Sequence, residues 1–312
     1  MSKRPLSQIL PLLAAVLPLL LTAVAGAGTP GDAGLLSLRL GVGGRSGAMG
    51  ETGVATSTDG TAMYWNPANM SYAHGTQATV QHMEYFGLFR QESLTLSHET
   101  PYGSFGVLFT GFYSDDIDRT APEPVGVTQG TFRPYDVAAG LGYSKRFQEF
   151  ALGVTAKFIY ERIDAYSGSA FAVDLGVTHQ AVIDGLVFAA CVQNLGSTFT
   201  LDQQSTDLPR TVRAGFAYRP VDVGWSGLRR VLTTAEIVMP NDGNSRLHAG
   251  LELELDPSFH LRVGHRFQYD TWGPTFGAGF SRGGLQVDYA YMANSNDFDA
   301  THRFSLSLSS KP

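Results

Sequence analysis

The stretch "EFALGVTAKFIY", residues 149 to 160, alternates with a period of two. Phe150, Leu152, Val154, Ala156, Phe158 and Tyr160 fall on one face; Gly153, Thr155 and Lys157 fall on the other. Successive side chains of a strand point to opposite sides, so the stretch reads as a strand with one apolar and one polar face. The pattern recurs. In "TVRAGFAYR", Val212, Ala214, Phe216 and Tyr218 oppose Arg213, Gly215 and Arg219. In "RLHAGLELELD", Leu247, Ala249, Leu251, Leu253 and Leu255 oppose Arg246, His248, Glu252 and Glu254. The run Phe259, Leu261, Val263, His265, Phe267 and Tyr269 opposes His260, Arg262, Gly264 and Arg266.

A soluble sandwich alternates in the same way, so three further features decide. The segments run to about ten residues, the length a tilted strand needs to cross a bilayer, where soluble strands average nearer six. Aromatic residues collect near strand ends, at Tyr113, Tyr143, Phe267, Tyr269, Tyr289, Tyr291 and Phe304, as an interfacial girdle requires. The polar face carries full charges in mid-strand, which suits a wet or plugged lumen.

Loop parity adds force. Fourteen strands are expected, starting near residues 75, 90, 103, 133, 149, 168, 185, 208, 229, 245, 258, 273, 284 and 300. The third, seventh and thirteenth connections are long, while even ones include "TPYG", "RFQE", "LDPS" and "SRGG"; among the even ones only "RPVDVGWSGLRR" is long. Long loops on one side and short turns on the other are the topology of an outer-membrane barrel with an even strand number. The expected fold is all-β, a transmembrane antiparallel barrel of about fourteen strands with an N-terminal plug. Its expected place is the bacterial outer membrane, with membrane lipid around the wall.

The rest of the composition agrees. The chain has 312 residues, a net charge of −6, 36 glycines, 11% aromatic and 16% charged residues. Nothing marks a nucleic-acid footprint. The lone Cys191 excludes a disulfide framework and a multi-cysteine metal site. Lys3 and Arg4, the apolar run Ile9 to Leu21 and the small residues Ala23-Val24-Ala25 form a secretory signal peptide over 1–25, cut after Ala25 or Ala27. A membrane anchor is the other reading, but two prolines interrupt the run. Residues 26–74 then form a periplasmic or plug segment, and 75–312 the barrel.

That middle segment ends in "DGTAMYWNPANMSY", residues 59 to 72. Asp59 is placed to cap a short helix over about Thr61 to Trp65. Asn66, preceding Pro67, should end it, because a residue before proline is pushed out of the α region. An irregular chain folded into the lumen must find polar partners there.

The stretch "LRLGVGGRSGAMGETGVATSTDGTAMYWNPANMS", residues 38 to 71, resembles the N-terminal signature of FadL-type outer-membrane barrels, especially the PorV/PorQ branch. Arg45, Met49, Gly50, Asp59, Trp65, Asn66, Pro67 and Ala68 carry the likeness. "VQNLG" (192–196), "DLPRTVRAGFAYRP" (207–220) and the ending "VDYAYMANSNDFDATHRFSLSLS" (287–309) extend it. The resemblance implies a fourteen-stranded barrel with an N-terminal plug. It implies one of two roles. A PorV-like factor serves protein secretion of the type IX kind, with exported proteins or a translocon as partners. A FadL-like barrel passes fatty acids or other hydrophobic small molecules. The chain departs from the FadL pattern in being much shorter, and from barrel assembly signals in ending "SLSLSSKP".

The charges expected in the lumen are Lys157, Asp174, Arg213, Arg246, Glu252, Glu254, Arg262, Arg266, Asp288 and Arg303. They form either a polar conduit or the ion pairs of a plugged lumen. The mixed signs favour the plugged lumen. With short loops, they also favour the protein-interaction role over a fatty-acid channel, which needs an apolar pocket. Acidic outer loops carry Asp115, Asp116, Asp118, Glu123, Asp202, Asp207, Asp242, Asp297 and Asp299, without metal-loop spacing. No enzyme is expected. "GFSRG" (279–283) matches a nucleophile elbow but sits at a strand-to-strand turn, so Ser281 with His302 is a weak hydrolase pair. His248, His260 and His265 lie on strands without zinc-ligand partners. No cofactor or metal is expected.

Overall fold

The computed structural model describes residues 31–120, 128–220, 228–295 and 298–310. The proposed signal peptide, residues 1–25, lies outside the described residues.

The wall begins with β1 (Thr76–Tyr85), β2 (Phe89–Thr100) and β3 (Gly103–Ser114). A loop hairpin of β4 (Ile117–Thr120) and β5 (Thr128–Phe132) follows. Next come β6 (Tyr135–Phe147), β7 (Phe150–Ile163), β8 (Tyr166–Gln180) and β9 (Leu186–Gly196). A second loop hairpin, β10 (Phe199–Leu201) and β11 (Gln204–Thr206), precedes β12 (Thr211–Tyr218). The wall ends with β13 (Arg230–Pro240), β14 (Arg246–Glu254), β15 (Phe259–Arg266), β16 (Trp272–Arg282), β17 (Leu285–Asn294) and β18 (Thr301–Ser309). Leaving out the two hairpins, fourteen strands close an antiparallel barrel in which β1 pairs with both β2 and β18. All fourteen expected starts fall within three residues of the observed ones.

The alternation decides which face meets which solvent. On β7 the apolar set points outward and Ala151, Thr155, Lys157 and Ile159 point inward and are buried. Leu141 and Phe171 are 69% and 68% exposed, while Lys157, Arg213, Arg262 and Arg303 are all 7% exposed or less. A soluble protein hides its phenylalanines and solvates its charges. This wall does the reverse, and only a hydrocarbon surround makes that favourable.

The chain enters the wall at residue 76 and leaves it at 309, both at the end with tight turns. The long third and seventh connections lie at the other end. Each folds a small hairpin, Ile117 pairing Phe132 and Phe199 pairing Thr206. Tyr269, expected on the outer girdle, instead turns to His248 on the inner face, its hydroxyl 2.9 Å from Nε2. The strand had already ended at Arg266, which frees the side chain from the alternation.

Residues 31–75 run against the inner faces of the strands. They form a 3-10 turn at Leu36–Arg39, helix α1 (Gly44–Ala48), helix α2 (Ala62–Trp65) and a second 3-10 turn at Pro67–Tyr72.

Candidate functional site in the barrel lumen

Two patches of the wall lack side chains where the N-terminal segment lies on them. The first is floored by Gly142, Gly153 and Gly176 of β6, β7 and β8. A methyl group on Gly176 would overlap Asn66 Oδ1, and one on Gly153 would overlap the Pro67–Ala68 peptide. The second is floored by Gly250, Gly264 and Gly277 of β14, β15 and β16. There methyl groups would strike Met49, Gly50 and Ala48. Met49-Gly50 and Asn66-Pro67-Ala68, the two halves of the N-terminal motif, each press backbone against a glycine floor.

Polar bonds then lock the segment. Asn66 ends α2 in an extended conformation, φ −162° and ψ 106°. Its Nδ2 donates to Val54 O at 3.1 Å and Thr178 Oγ1 at 2.9 Å, with Val177 O at 3.2 Å. Its Oδ1 accepts from Ala68 N at 3.1 Å, capping the next turn. Asn69 joins the same group, accepting from Thr178 Oγ1 at 2.6 Å. Trp65, fully buried, donates Nε1 to Val42 O at 2.7 Å. Asp59 does not cap α2, which starts one residue later than expected; its carboxylate accepts instead from Thr61 N at 2.8 Å.

The charges expected in the lumen lie on inner faces of β7, β8, β12, β14, β15, β17 and β18, and the segment completes the pairing of several of them. Arg45 of α1 holds Glu252 through two bonds of 2.7 and 2.9 Å. Arg262 bonds the same carboxylate at 2.7 Å and Asp288 at 2.7 Å. Arg303 pairs with Glu51 at 2.7 Å. Arg213 pairs with Glu236 at 2.6 Å and lies 5.0 Å over the Trp65 ring. Glu236 also accepts from the backbone of Gly53 and Val54, at 3.1 Å each. Lys157 pairs with Asp174 at 2.7 Å, and Asn194 N donates to that carboxylate at 2.7 Å. Glu254 meets Arg229 and Arg230 at 3.6 Å near the tight-turn end. Arg246 and Arg266 lie over the Tyr269 ring at 4.2 and 6.0 Å.

Most of these pairs span neighbouring strands or strand and segment; Arg262 and Asp288 reach across Gly279 of the intervening β16. Removing one member of a buried pair strands the other charge, at a cost of about 3–5 kcal/mol. Burial works against ionisation of Glu51, but Arg303, Arg266 and Arg213 outweigh it and hold its carboxyl below the usual range. Sequence reasoning missed Glu51 and Glu236. Glu236 was findable, a lone acid in the alternating run "TTAEIVMP". Glu51 was not, because it sits outside any strand at φ 64°.

Apolar clusters lie on either side of this charged belt. At the long-loop end, Leu35 and Leu38 of the segment pack with Ala138, Ile159 and Ala170 of the wall and with Phe199 and Leu208 of the seventh connection. Arg39 ties the segment to that end, 2.6 Å from Asp242 and donating to Asn241 at 2.8 Å. Ala33 forms a parallel bridge to Asp207. At the tight-turn end, Val54 and Ala55 pack with Ala189, Cys191, Ala217 and Leu232. On the wall, hollows of ≈400 and ≈550 Å³ follow β3, β6, β7 and β8 beside the small residues Gly111, Ala139 and Ala156.

The hydrolase pair does not form. Ser281 lies at the tight-turn end of β16, bonded to Pro257 O at 3.0 Å, and His302 at the opposite end of β18, 2.8 Å from the Tyr289 hydroxyl. Among the described residues no three His, Cys, Asp or Glu side chains converge as metal ligands would.

No family model matches the chain, and no curated protein matches it. Solved structures do. The Ralstonia pickettii toluene transporter TbuX superposes with a TM-score of 0.60 at 12% identity, covering 86% of this chain and 98% of that one. The Pseudomonas putida toluene transporter TodX gives 0.59 at 12% identity, covering 91% and 99%. A Pseudomonas aeruginosa FadL homologue gives 0.54 at 10% identity, covering 85% and 97%. The fold is that of the FadL-type barrels. With its inverted surface, this chain is a barrel of the bacterial outer membrane. Nothing in these likenesses is specific to the PorV/PorQ branch or to secretion.

Proposed function

We propose that the barrel passes hydrophobic small molecules across the outer membrane, with the N-terminal segment as its plug. The observation that carries this reading is the apolar cluster at the long-loop end of the lumen. There a loop hairpin and the start of the segment bury Leu35, Leu38, Phe199 and Leu208 against one another, an apolar contact at the outer end of the lumen that an entering solute replaces as the segment shifts. Apolar contacts with few polar groups are what such a solute needs. The structural likeness to two toluene transporters supports the same reading. Below the cluster the paired charges are a poor path for an apolar molecule, so passage requires the segment to shift or the solute to leave sideways.

The test is uptake of toluene and of palmitate by cells with and without the protein, with a disaccharide as control. Faster entry of either apolar solute alone is expected, and Leu38→Glu should abolish it. Equal entry of all three solutes, or no change in any, would end the reading. The secretion role, in which residues 114–131 capture exported proteins, is the less supported of the two.

A further inference from the structure

The lipid-facing band is not equally tall around the barrel. On β7 six apolar residues face outward in succession, from Phe150 to Tyr160. At about 3.3 Å per residue and a tilt near 40°, that band is about 25 Å tall, the height typical of outer-membrane barrels. The outward residues of β2 read Arg90, Glu92, Leu94, Leu96 and His98. Those of β1 read Thr76, Ala78, Val80, His82 and Glu84. On each strand only two apolar residues separate polar flanks that lie six positions apart. By the same geometry the band there is at most about 15 Å tall. This sector lies where the barrel closes, since β1 pairs with β18, the last strand.

The flanking polar groups already have partners on neighbouring strands and in the third connection. His82 Nδ1 is 2.7 Å from Glu92 Oε1, and the Tyr113 hydroxyl donates to the same oxygen at 3.3 Å. Arg90 lies 3.7 Å from Glu84 and bonds Asp115 at 2.5 Å. Thr76 Oγ1 is 2.9 Å from His98 Nδ1. The His82 and Glu92 side chains nonetheless remain 44% and 43% exposed. A protein neighbour in the membrane would be expected to supply counter-charges, and none is needed. Left in a flat hydrocarbon slab about 25 Å thick, Glu92 and His98 would sit some 5 Å inside it, where a polar or charged side chain costs more than at the interface. A bilayer meets a short hydrophobic surface by thinning.

We propose that the β1–β2 sector thins the outer membrane locally. Lipid headgroups and their water descend to Glu92 and His82 on the outer side and rise to His98 and Thr76 on the inner side. The occupant of this surface is the lipid itself.

Single cysteines test the idea in the full barrel reconstituted in dioleoylphosphatidylcholine vesicles, with a water-soluble maleimide on both sides. Glu92→Cys and His98→Cys lie three positions from the middle of the β2 band. Leu152→Cys and Phe158→Cys lie three positions from the middle of the β7 band, at equivalent distance from mid-height. Cys191 is buried and serves as background. Positions 92 and 98 should react at least ten-fold faster than 152 and 158. Equally slow reaction at all four sites overturns the proposal. So does protection of 92 and 98 that grows with the protein-to-lipid ratio, since a second copy would then cover them. Thr76→Cys leaves the His82–Glu92 pair intact, and its fast reaction is expected as well; slow labelling of folded Thr76→Cys overturns the inner half.

Discussion

Asn66→Ala should loosen the N-terminal segment without opening the barrel. The side chain makes four contacts, from Nδ2 to Val54 O, Thr178 Oγ1 and Val177 O, which share its two N–H groups, and to Oδ1 from Ala68 N. Asn66 is fully buried, so no water replaces it. A net hydrogen bond contributes about 0.5–1.5 kcal/mol, and a donor left unsatisfied in the interior costs about 1–3 kcal/mol. Val54 O and Thr178 keep a second partner in Asn69, which limits the loss, while the Ala68 N–H keeps none in this group. The sum is about 2–4 kcal/mol, or roughly 30- to 700-fold in the local opening equilibrium at 1.4 kcal/mol per tenfold. The wall strands lose no ladder bond, so the barrel should still run folded on a heat-modifiability gel. Hydrogen exchange read peptide by peptide would show faster exchange over 54–72 and unchanged exchange in β14–β17. Protection over 54–72 changed by less than about three-fold would refute the assignment of these bonds as the lock.

Gly176→Ala removes no bond but places a methyl group on Asn66 Oδ1; it should loosen the same residues by about 1–3 kcal/mol in the same exchange experiment. Arg213→Met and Glu236→Leu should each destabilise the folded barrel by about 3–5 kcal/mol in urea unfolding, with the Arg213→Met, Glu236→Leu double variant milder than the sum. Glu51 has a folded-state pKa below its unfolded value, so its contribution is present above about pH 4.3 and is lost as pH falls further. Segment protection should therefore drop on acidification below that point, and Glu51→Gln should flatten the drop. Ser281→Ala should leave hydrophobic uptake unaltered.

Most of the wall was legible because a strand in a membrane is read one residue at a time. The period of two, the restriction of most mid-strand charges to one parity and the parity of loop lengths are local properties, and each follows from the solvent on the two faces of the sheet. Asn66-Pro67 ended its helix as the steric rule for a residue before proline requires. What could not be read was who meets whom across the lumen. Gly153, Gly176, Gly250 and Gly264 look in sequence like ordinary strand glycines; only their placement opposite Pro67, Asn66, Met49 and Gly50 makes them floors. Arg45 pairs with a carboxylate 207 positions away and Arg303 with Glu51. Such pairings depend on barrel closure, which sets how strands at distant positions face a segment threaded between them. The short apolar band on β1 and β2 was present in the sequence all along, yet it acquires meaning only when both strands stand in the wall beside the taller bands of β7 and its neighbours. Face and period are decided within a strand; register, closure and the lumenal contacts are decided by the whole ring.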